Sequence, residues 1–323
     1  MRNAIKTACA LLAMALSISA SAAAQDYPNR PVTMIVPFPP GGGNDTLARI
    51  VAAKLSAALG QQVVVDNRGG ANALIAMRAV ARAAPDGYTL VFANSSSTSI
   101  NRALYADAGY DTLKDFAPIG MFASASIGII ANPAFPPNNV AEFVAYAKAN
   151  PGKLNIGTSP PGSGSHLSAE LFKARTGIQV TYVPYRGAAA LNNDLIGGHI
   201  PLVFSVVPAS LGAIRAGQLK VLAMTATERI PVLPDVPIVA ETIPGFEAVL
   251  RYGLLAPAGT PKPIVDRLNR ELRALASSDE VKTRIAREAG SALTSTPEQY
   301  AAEIVREDGI WMPLIRGLNI KVE

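Results

Sequence analysis

Val32-Thr33-Met34-Ile35-Val36-Pro37, followed by Phe38-Pro39-Pro40-Gly41-Gly42-Gly43-Asn44-Asp45 and then Thr46 to Leu59, is the stretch that decides the fold. Its first part is short, apolar and rich in β-branched residues, which predicts a strand buried on both faces. From Thr46 onward the apolar residues fall at Leu47, Ile50, Val51, Leu55 and Leu59, the spacing of one helix face. Val63-Val64-Val65 predicts a second strand, Ala73 to Ala83 a second helix and Tyr88 to Ala93 a third strand. This βαβαβ order predicts parallel strands covered by helices, the half-unit of a doubly wound sheet.

The pattern then starts again. Ile127 to Ile130, Leu154 to Gly157, Val180 to Val183, Leu202 to Ser205 and Leu219 to Thr225 read as strands. Between them lie helical patterns over Val140 to Ala149, His166 to Arg175 and Ala188 to Ile196. After a proline-dense stretch from Pro231 to Pro244, Gly253 to Ala256 predicts one more strand, and helices over Pro263 to Ala276 and Pro297 to Ile310 close the chain. No short repeat runs through it, which excludes solenoids and propellers. Two α/β lobes of about 100 residues each, with a helical appendix, are the expectation.

Arg2 and Lys6, an apolar run from Ala8 to Ile18, and Ala22-Ala23-Ala24 before Gln25 form the three parts of a secretory signal, so residues 1–24 are expected to be removed. The apolar run is far shorter than the roughly 20 residues of a membrane span, and a retained amphipathic anchor is the alternative. The single Cys9 opens that run, too early for lipid attachment, and leaves the mature chain without a disulfide or a thiolate metal site. The formal net charge is +5, with 16% charged and 49% hydrophobic residues and no Lys/Arg run. That composition argues for a packed globule and against nucleic-acid binding or disorder.

Phe38, Pro40, Gly41, Gly42, Asn44 and Asp45 lie between a predicted strand and a helix start, where exposed backbone N–H groups favour an oxyanion. Asp45 either serves that site or caps the helix. The loop lacks the Gly-Lys-Ser/Thr ending of a phosphate-binding P-loop and the spacing of a dinucleotide fingerprint. Thr158-Ser159-Pro160-Pro161-Gly162-Ser163-Gly164-Ser165-His166 is a second loop of the same kind in the other half, and two such helix starts suit an anion clamp. Ser95, Ser96 and Thr98 form a hydroxyl cluster after the third strand and either bind a ligand or cap a turn. His166 faces the ligand or packs locally. A serine hydrolase using Ser163 or Ser165 is disfavoured, because Gly162-Ser163-Gly164 lacks the nucleophile-elbow spacing and adjacent Ser165 and His166 point apart. With His166 and His199 as the mature chain's histidines, no transition-metal site is expected.

These segments closely resemble the periplasmic receptors of tripartite tricarboxylate transporters, the Bug family. The matching blocks include Tyr27-Pro28-x-Arg30-Pro31-Val32-Thr33, Val36 to Gly43 with Asp45, Pro85-Asp86-Gly87-Tyr88-Thr89-Leu90, Ala147 to Leu154, Gly162-Ser163-Gly164-Ser165-His166-Leu167, Val183-Pro184-Tyr185-Arg186-Gly187 and Leu255 to Pro261. The resemblance spans essentially the whole mature chain. It implies an α/β, two-lobed periplasmic-binding-protein type II fold, each lobe a mixed, mostly parallel sheet flanked by helices. Lobe 1 is then expected at 25–124 plus 249–323, and lobe 2 at 125–248.

The resemblance also implies a small carboxylate ligand (a dicarboxylate, a tricarboxylate or an aromatic acid), no cofactor, no enzymatic activity, a periplasmic location, a monomer and membrane permease partners. A sensor subunit signalling to a histidine kinase is the alternative. Tyr185 and Ser205 join the ligand-site candidates on the same ground, as do Asn72 and Ala73, which stand where the family usually carries glycine-rich sequence. Many members carry Asp at the Ser205 position and Trp near Arg251. Arg251 is then a surface charge or an extra carboxylate partner.

Overall fold

The computed structural model describes residues 27–185 and 187–318; the leader read at residues 1–24 and Arg186 lie outside them. β1 (Val32–Val36), β2 (Val63–Asn67) and β3 (Thr89–Asn94) run parallel in the order β2-β1-β3. α1 (Gly43–Leu59) buries Leu47, Ile50, Val51, Leu55 and Leu59, the residues its spacing singled out. It stops at Gly60, whose φ of 70° suits glycine and lets its N–H bond the Ser56 carbonyl. α2 (Leu74–Ala81) begins one residue later than predicted, because Ala71, Asn72 and Ala73 form a left-handed turn with φ of 45°, 50° and 77°. Non-glycine residues in that region cost about 1–2 kcal/mol each. A reciprocal clip offsets part of this: Asn72 Nδ2 donates to Asn101 Oδ1 at 3.0 Å, and Asn101 Nδ2 donates back to the Asn72 carbonyl at 2.6 Å.

β4 (Phe116–Ala131) leads into α3 (Val140–Ala149), β5 (Leu154–Thr158), α4 (Gly164–Thr176), β6 (Val180–Pro184), α5 (Ala188–Ile196), β7 (Leu202–Val206) and β8 (Lys220–Met224). The chain returns through β9 (Val249–Pro257), α6 (Lys262–Ser277), α7 (Asp279–Arg287), β10 (Gly290–Ala292) and α8 (Pro297–Leu318). β4 is shared between two sheets. From Phe116 to Ser126 it pairs antiparallel with β9, which lies beside β3; from Ile127 to Ala131 it pairs with β7 and β8. β5 lies parallel between β6 and β7. The sequence predicts only Ile127 to Ile130 of this strand, since Pro118, Gly120 and Ser124 interrupt its apolar pattern, and the register shifts between Pro118 and Gly120.

Each sheet carries a buried layer on both faces, and the two sheets with their layers are the two lobes. Phe92, Phe122 and Leu268 lie on one face of the first sheet, and Met77, Tyr110 and Phe116 on the other. In the second, Phe143, Phe172 and Phe204 face Leu191, Leu195 and Val203 across the strands. Fully burying side chains of this size contributes about 1.5–3 kcal/mol each. α7 and β10 escape the sequence reading because α7 buries only Val281 and Ile285 and is otherwise polar. α8 extends past the predicted Ile310, through Pro313, to Leu318. Its Tyr300 and Ile304 belong to a core of the first sheet, and its Trp311 and Ile315 to a core of the second. Among the described residues no helix is long and apolar enough to cross a membrane.

Gly253 is where α8 comes closest to β9: a Cβ built there would lie 2.5 Å from the buried Tyr300 ring. Gly253→Ala is therefore expected to destabilise the fold by about 1–3 kcal/mol in chemical denaturation. Gly212→Ala, where a Cβ meets nothing within 4 Å, should be neutral or slightly stabilising.

Candidate functional site

The glycine loop after β1 is built to leave its donors open. Gly41 takes φ +85°, and Gly42 caps α1 through its backbone conformation, with no side-chain cap. Asp45 folds back to hold the loop: its Oδ2 accepts from the Gly41 N–H at 2.9 Å and Arg49 Nε at 3.0 Å, and its Oδ1 accepts from Asn67 Nδ2 at 3.0 Å. Asn67, the last residue of β2, also donates to the Phe38 carbonyl at 3.1 Å. Burial pushes the Asp45 carboxyl up, but the bonds from Arg49, Gly41 and Asn67 outweigh it and hold the group below the ordinary carboxylate value. Phe38 is half-buried and Pro40 exposed.

Gly41, Gly42 and Gly43 are exposed on one wall of a cavity of about 450 Å³ that lies between the lobes. Thr46, Leu47, Tyr252, Ile285, Glu288 and Gly290 complete the first lobe's side, and Ala188, Val206, Pro208 and Ala209 form the opposite wall. Ala188 is the first residue of α5, so two helix N-termini border the cavity. Tyr252, buried and stacked on Phe92, has its phenol pushed up to about 12 by burial, with Asn94 beside it. Asn44, next to Gly43, is 5% exposed, and neither side-chain polar atom has a partner. Thr158 Oγ1 and Ser126 Oγ are likewise buried and unpartnered, at the end of β5 and at the point where β4 passes between sheets. Leaving such groups unbonded costs about 1–3 kcal/mol each.

The second loop occupies a different place. Gly164 packs on Leu250 of β9, where a Cβ would lie 2.9 Å from the leucine side chain, and Ser159 to His166 do not line the 450 Å³ cavity. Ser163 caps α4 by accepting the His166 backbone N–H at 3.3 Å, while the imidazole Nδ1 accepts the Gly162 N–H at 3.4 Å. Ser163 and the imidazole therefore serve separate backbone groups, which is helix-start geometry. Burial, helped by nearby Lys173, lowers the His166 pKa to about 4, so the ring is neutral at neutral pH. Ser159 is half-buried, and Gly162 and Ser165 are buried.

The hydroxyl cluster turns inward. Ser95 Oγ donates to Glu307 Oε1 at 2.7 Å and accepts the Arg251 N–H at 2.8 Å, and Thr98 Oγ1 donates to the Asn94 carbonyl at 3.2 Å. Ser96 receives its backbone order from Asn94 Oδ1 and is 8% exposed. Tyr185 donates to Asp194 Oδ2 at 2.7 Å, and Ala73 is 1% exposed under its turn. Ser205, buried in β7, alternates with Val206, so it points to the opposite face from the residue that lines the cavity. Arg251 is no surface charge: its side chain is 13% exposed and pairs with Glu247, with Glu303 at 3.0 Å and with Glu307 at 3.3 Å. Among the described residues no group of three or more His, Cys, Asp or Glu could hold a metal ion.

Residues 47–320 match the family model described as tripartite tricarboxylate transporter family receptor. The chain belongs to this family. It is 35% identical over 308 residues to the protein BugT of Bordetella pertussis, covering 95% of this chain and 94% of that one. Among solved structures it resembles Rhodopseudomonas palustris Rpa4515 with adipate at 36% identity and a TM-score of 0.80, covering 92% of this chain and 99% of that one. It likewise resembles MatC of the same organism with bound malate, at 32% identity and a TM-score of 0.75, covering 90% and 100%. The receptor is thus a two-lobed α/β protein of the periplasmic solute-binding class. The sequence did not single out Tyr252, Ala188, Val206, Glu288 or Ser126 as site residues, because small, apolar or isolated polar residues in strand ends carry no local signal; only the folded topology assembles them.

Glu307 gives this receptor a pH signature. Burial is the largest influence and pushes its carboxyl up to about 7, against the opposing bonds from Ser95 and Arg251. The folded state then holds a proton that the unfolded chain releases near 4.5, so stability falls as pH rises from about 4.5 to about 7. Glu307→Gln should flatten this part of the stability curve by about 3 kcal/mol, as read from denaturation midpoints across that range.

Proposed function

We propose that this receptor captures a small carboxylate between its lobes in the periplasm and delivers it, as a monomer, to the permease subunits of a tripartite transporter. The observation that carries the reading is the inter-lobe cavity with the glycine-lined start of α1 on one wall and the start of α5 on the other. Helix N-termini supply fixed N–H donors and partial positive charge where an oxyanion would sit, and water exclusion strengthens each bond. Adipate and malate in the solved relatives Rpa4515 and MatC support a carboxylate.

The lobes are proposed as 25–124 plus 249–323 and 125–248, with α8 lying across both. The first ligand shell is proposed to come from Gly41, Gly42 and Asn44, with Phe38, Pro40 and Asp45 holding the loop. Ser96 and the Ser159 to His166 loop, which includes Gly162, Ser163, Gly164 and Ser165, close on the ligand when the lobes move. Asn72, Ala73, Ser95, Thr98, Tyr185 and Ser205 support that shell. The chain carries out no chemistry on its ligand, consistent with the separate backbone duties of Ser163 and His166.

Calorimetric titration of the mature protein with adipate, malate and benzoate tests this. Saturable one-to-one binding of at least one of them, with a raised thermal midpoint, is the expected result. Binding of sugars or metal cations alone would overturn it. Gly43→Leu, whose Cβ sits in ordinary contact with the Tyr252 hydroxyl at 3.8 Å, projects its remaining atoms into the cavity. It should weaken binding at least tenfold with little change in the ligand-free thermal midpoint.

A further inference from the structure

We propose that the cleft selects a monocarboxylate with an apolar body, and that Glu288 excludes ligands carrying a second carboxylate. The proposal rests on the reading of the cleft as a carboxylate site and narrows it. Opposite the glycine loop the cavity wall is Ala188, Val206, Pro208 and Ala209, with Ile285 on the near side, surfaces that can pack a hydrocarbon chain or ring but cannot bond a carboxylate through their side chains. Glu288, half-buried between α7 and β10, is the single acidic side chain among the described lining residues, and no described Lys, Arg or His accompanies it there.

Of the described cations on neighbouring elements, Arg284 and Arg287 of α7 line a separate surface pocket with Asp279 and Glu280, and others are already paired. Arg49 bonds Asp45 and Asn67, Arg251 pairs with Glu247, Glu303 and Glu307, and Lys173 pairs with Glu170 at 3.7 Å. His166 is held neutral by burial, so it adds no positive charge. Among the described residues, what remains positive at the cavity is the pair of helix starts, each equivalent to about half an elementary charge. Together they balance one carboxylate. A second carboxylate would meet an apolar wall, or Glu288, with no counter-charge among the described residues, and like charges brought together in a partly desolvated site repel strongly.

Hexanoate and adipate test the idea directly, since they share a six-carbon chain and differ by one carboxylate. In calorimetric titration the wild-type protein is expected to bind hexanoate at least tenfold more tightly than adipate. Glu288→Gln should shrink that ratio at least fivefold, and Glu288→Lys, which places a cation at the same spot, should reverse it. Thermal midpoints of both variants establish that they fold. Adipate bound as tightly as hexanoate by the wild type, or a ratio untouched by both substitutions, would overturn the proposal while leaving a carboxylate receptor standing. Failure of hexanoate, adipate and benzoate alike to bind would overturn this proposal and the carboxylate reading together.

Discussion

A strand hydrogen-bonded into two sheets that face different ways must change partners at a fixed point, and in this receptor that point is Ser126-Ile127. Thr225, fully buried, secures it. Its Oγ1 accepts the Ile127 N–H at 2.8 Å and donates to the Ala248 carbonyl at 2.6 Å, and its own N–H donates to the Ile127 carbonyl at 2.9 Å. The outgoing and returning chains are thus tied together by one threonine between the lobes. Because a buried backbone group without a partner is expensive, motion of one lobe against the other must keep these bonds and bend around them. The cleft lies beside this tie, lined by the ends of strands from both sheets, where open α/β sheets gather their ligands.

The glycine loop solves a second problem, that of holding a flexible segment still without consuming its donors. An ordinary N-cap side chain would take one of the N–H groups at the start of α1. Here Asp45 instead reaches back to the Gly41 N–H and is held in turn by Arg49 and Asn67, so the loop is anchored from behind. Order and availability coexist. The same economy of charge recurs at Arg251, whose partners Glu247, Glu303 and Glu307 tie β9 to α8 and leave it nothing to offer a ligand.

How much of this was legible in the sequence follows the range of the interactions involved. The βαβαβ order and the apolar face of α1 are local patterns, and both could be read directly. The first half of β4 could not, since Pro118, Gly120 and Ser124 break its periodicity and only pairing with β9 makes it a strand. The glycine loop announced itself by composition. The hydroxyl run after β3 announced itself equally loudly, yet Ser95 and Thr98 spend their hydroxyls on Glu307, Arg251 and Asn94, two of these distant in sequence. The far wall of the cavity was silent, because Ala188 and Val206 acquire meaning only when α5 and β7 meet the first lobe, and so was Glu288 on the near side.

α8 has a thermodynamic consequence of its own. Tyr300 and Ile304 are rooted in one hydrophobic core and Trp311 and Ile315 in the other. Melting either core strips away half of the contacts that keep the helix folded, and a helix losing half its packing frays along its length. The second core then loses its cover as well. The lobes, although each has its own sheet, are coupled in their unfolding, and a single cooperative heat-absorption peak, not two independent ones, is the natural behaviour of such a chain.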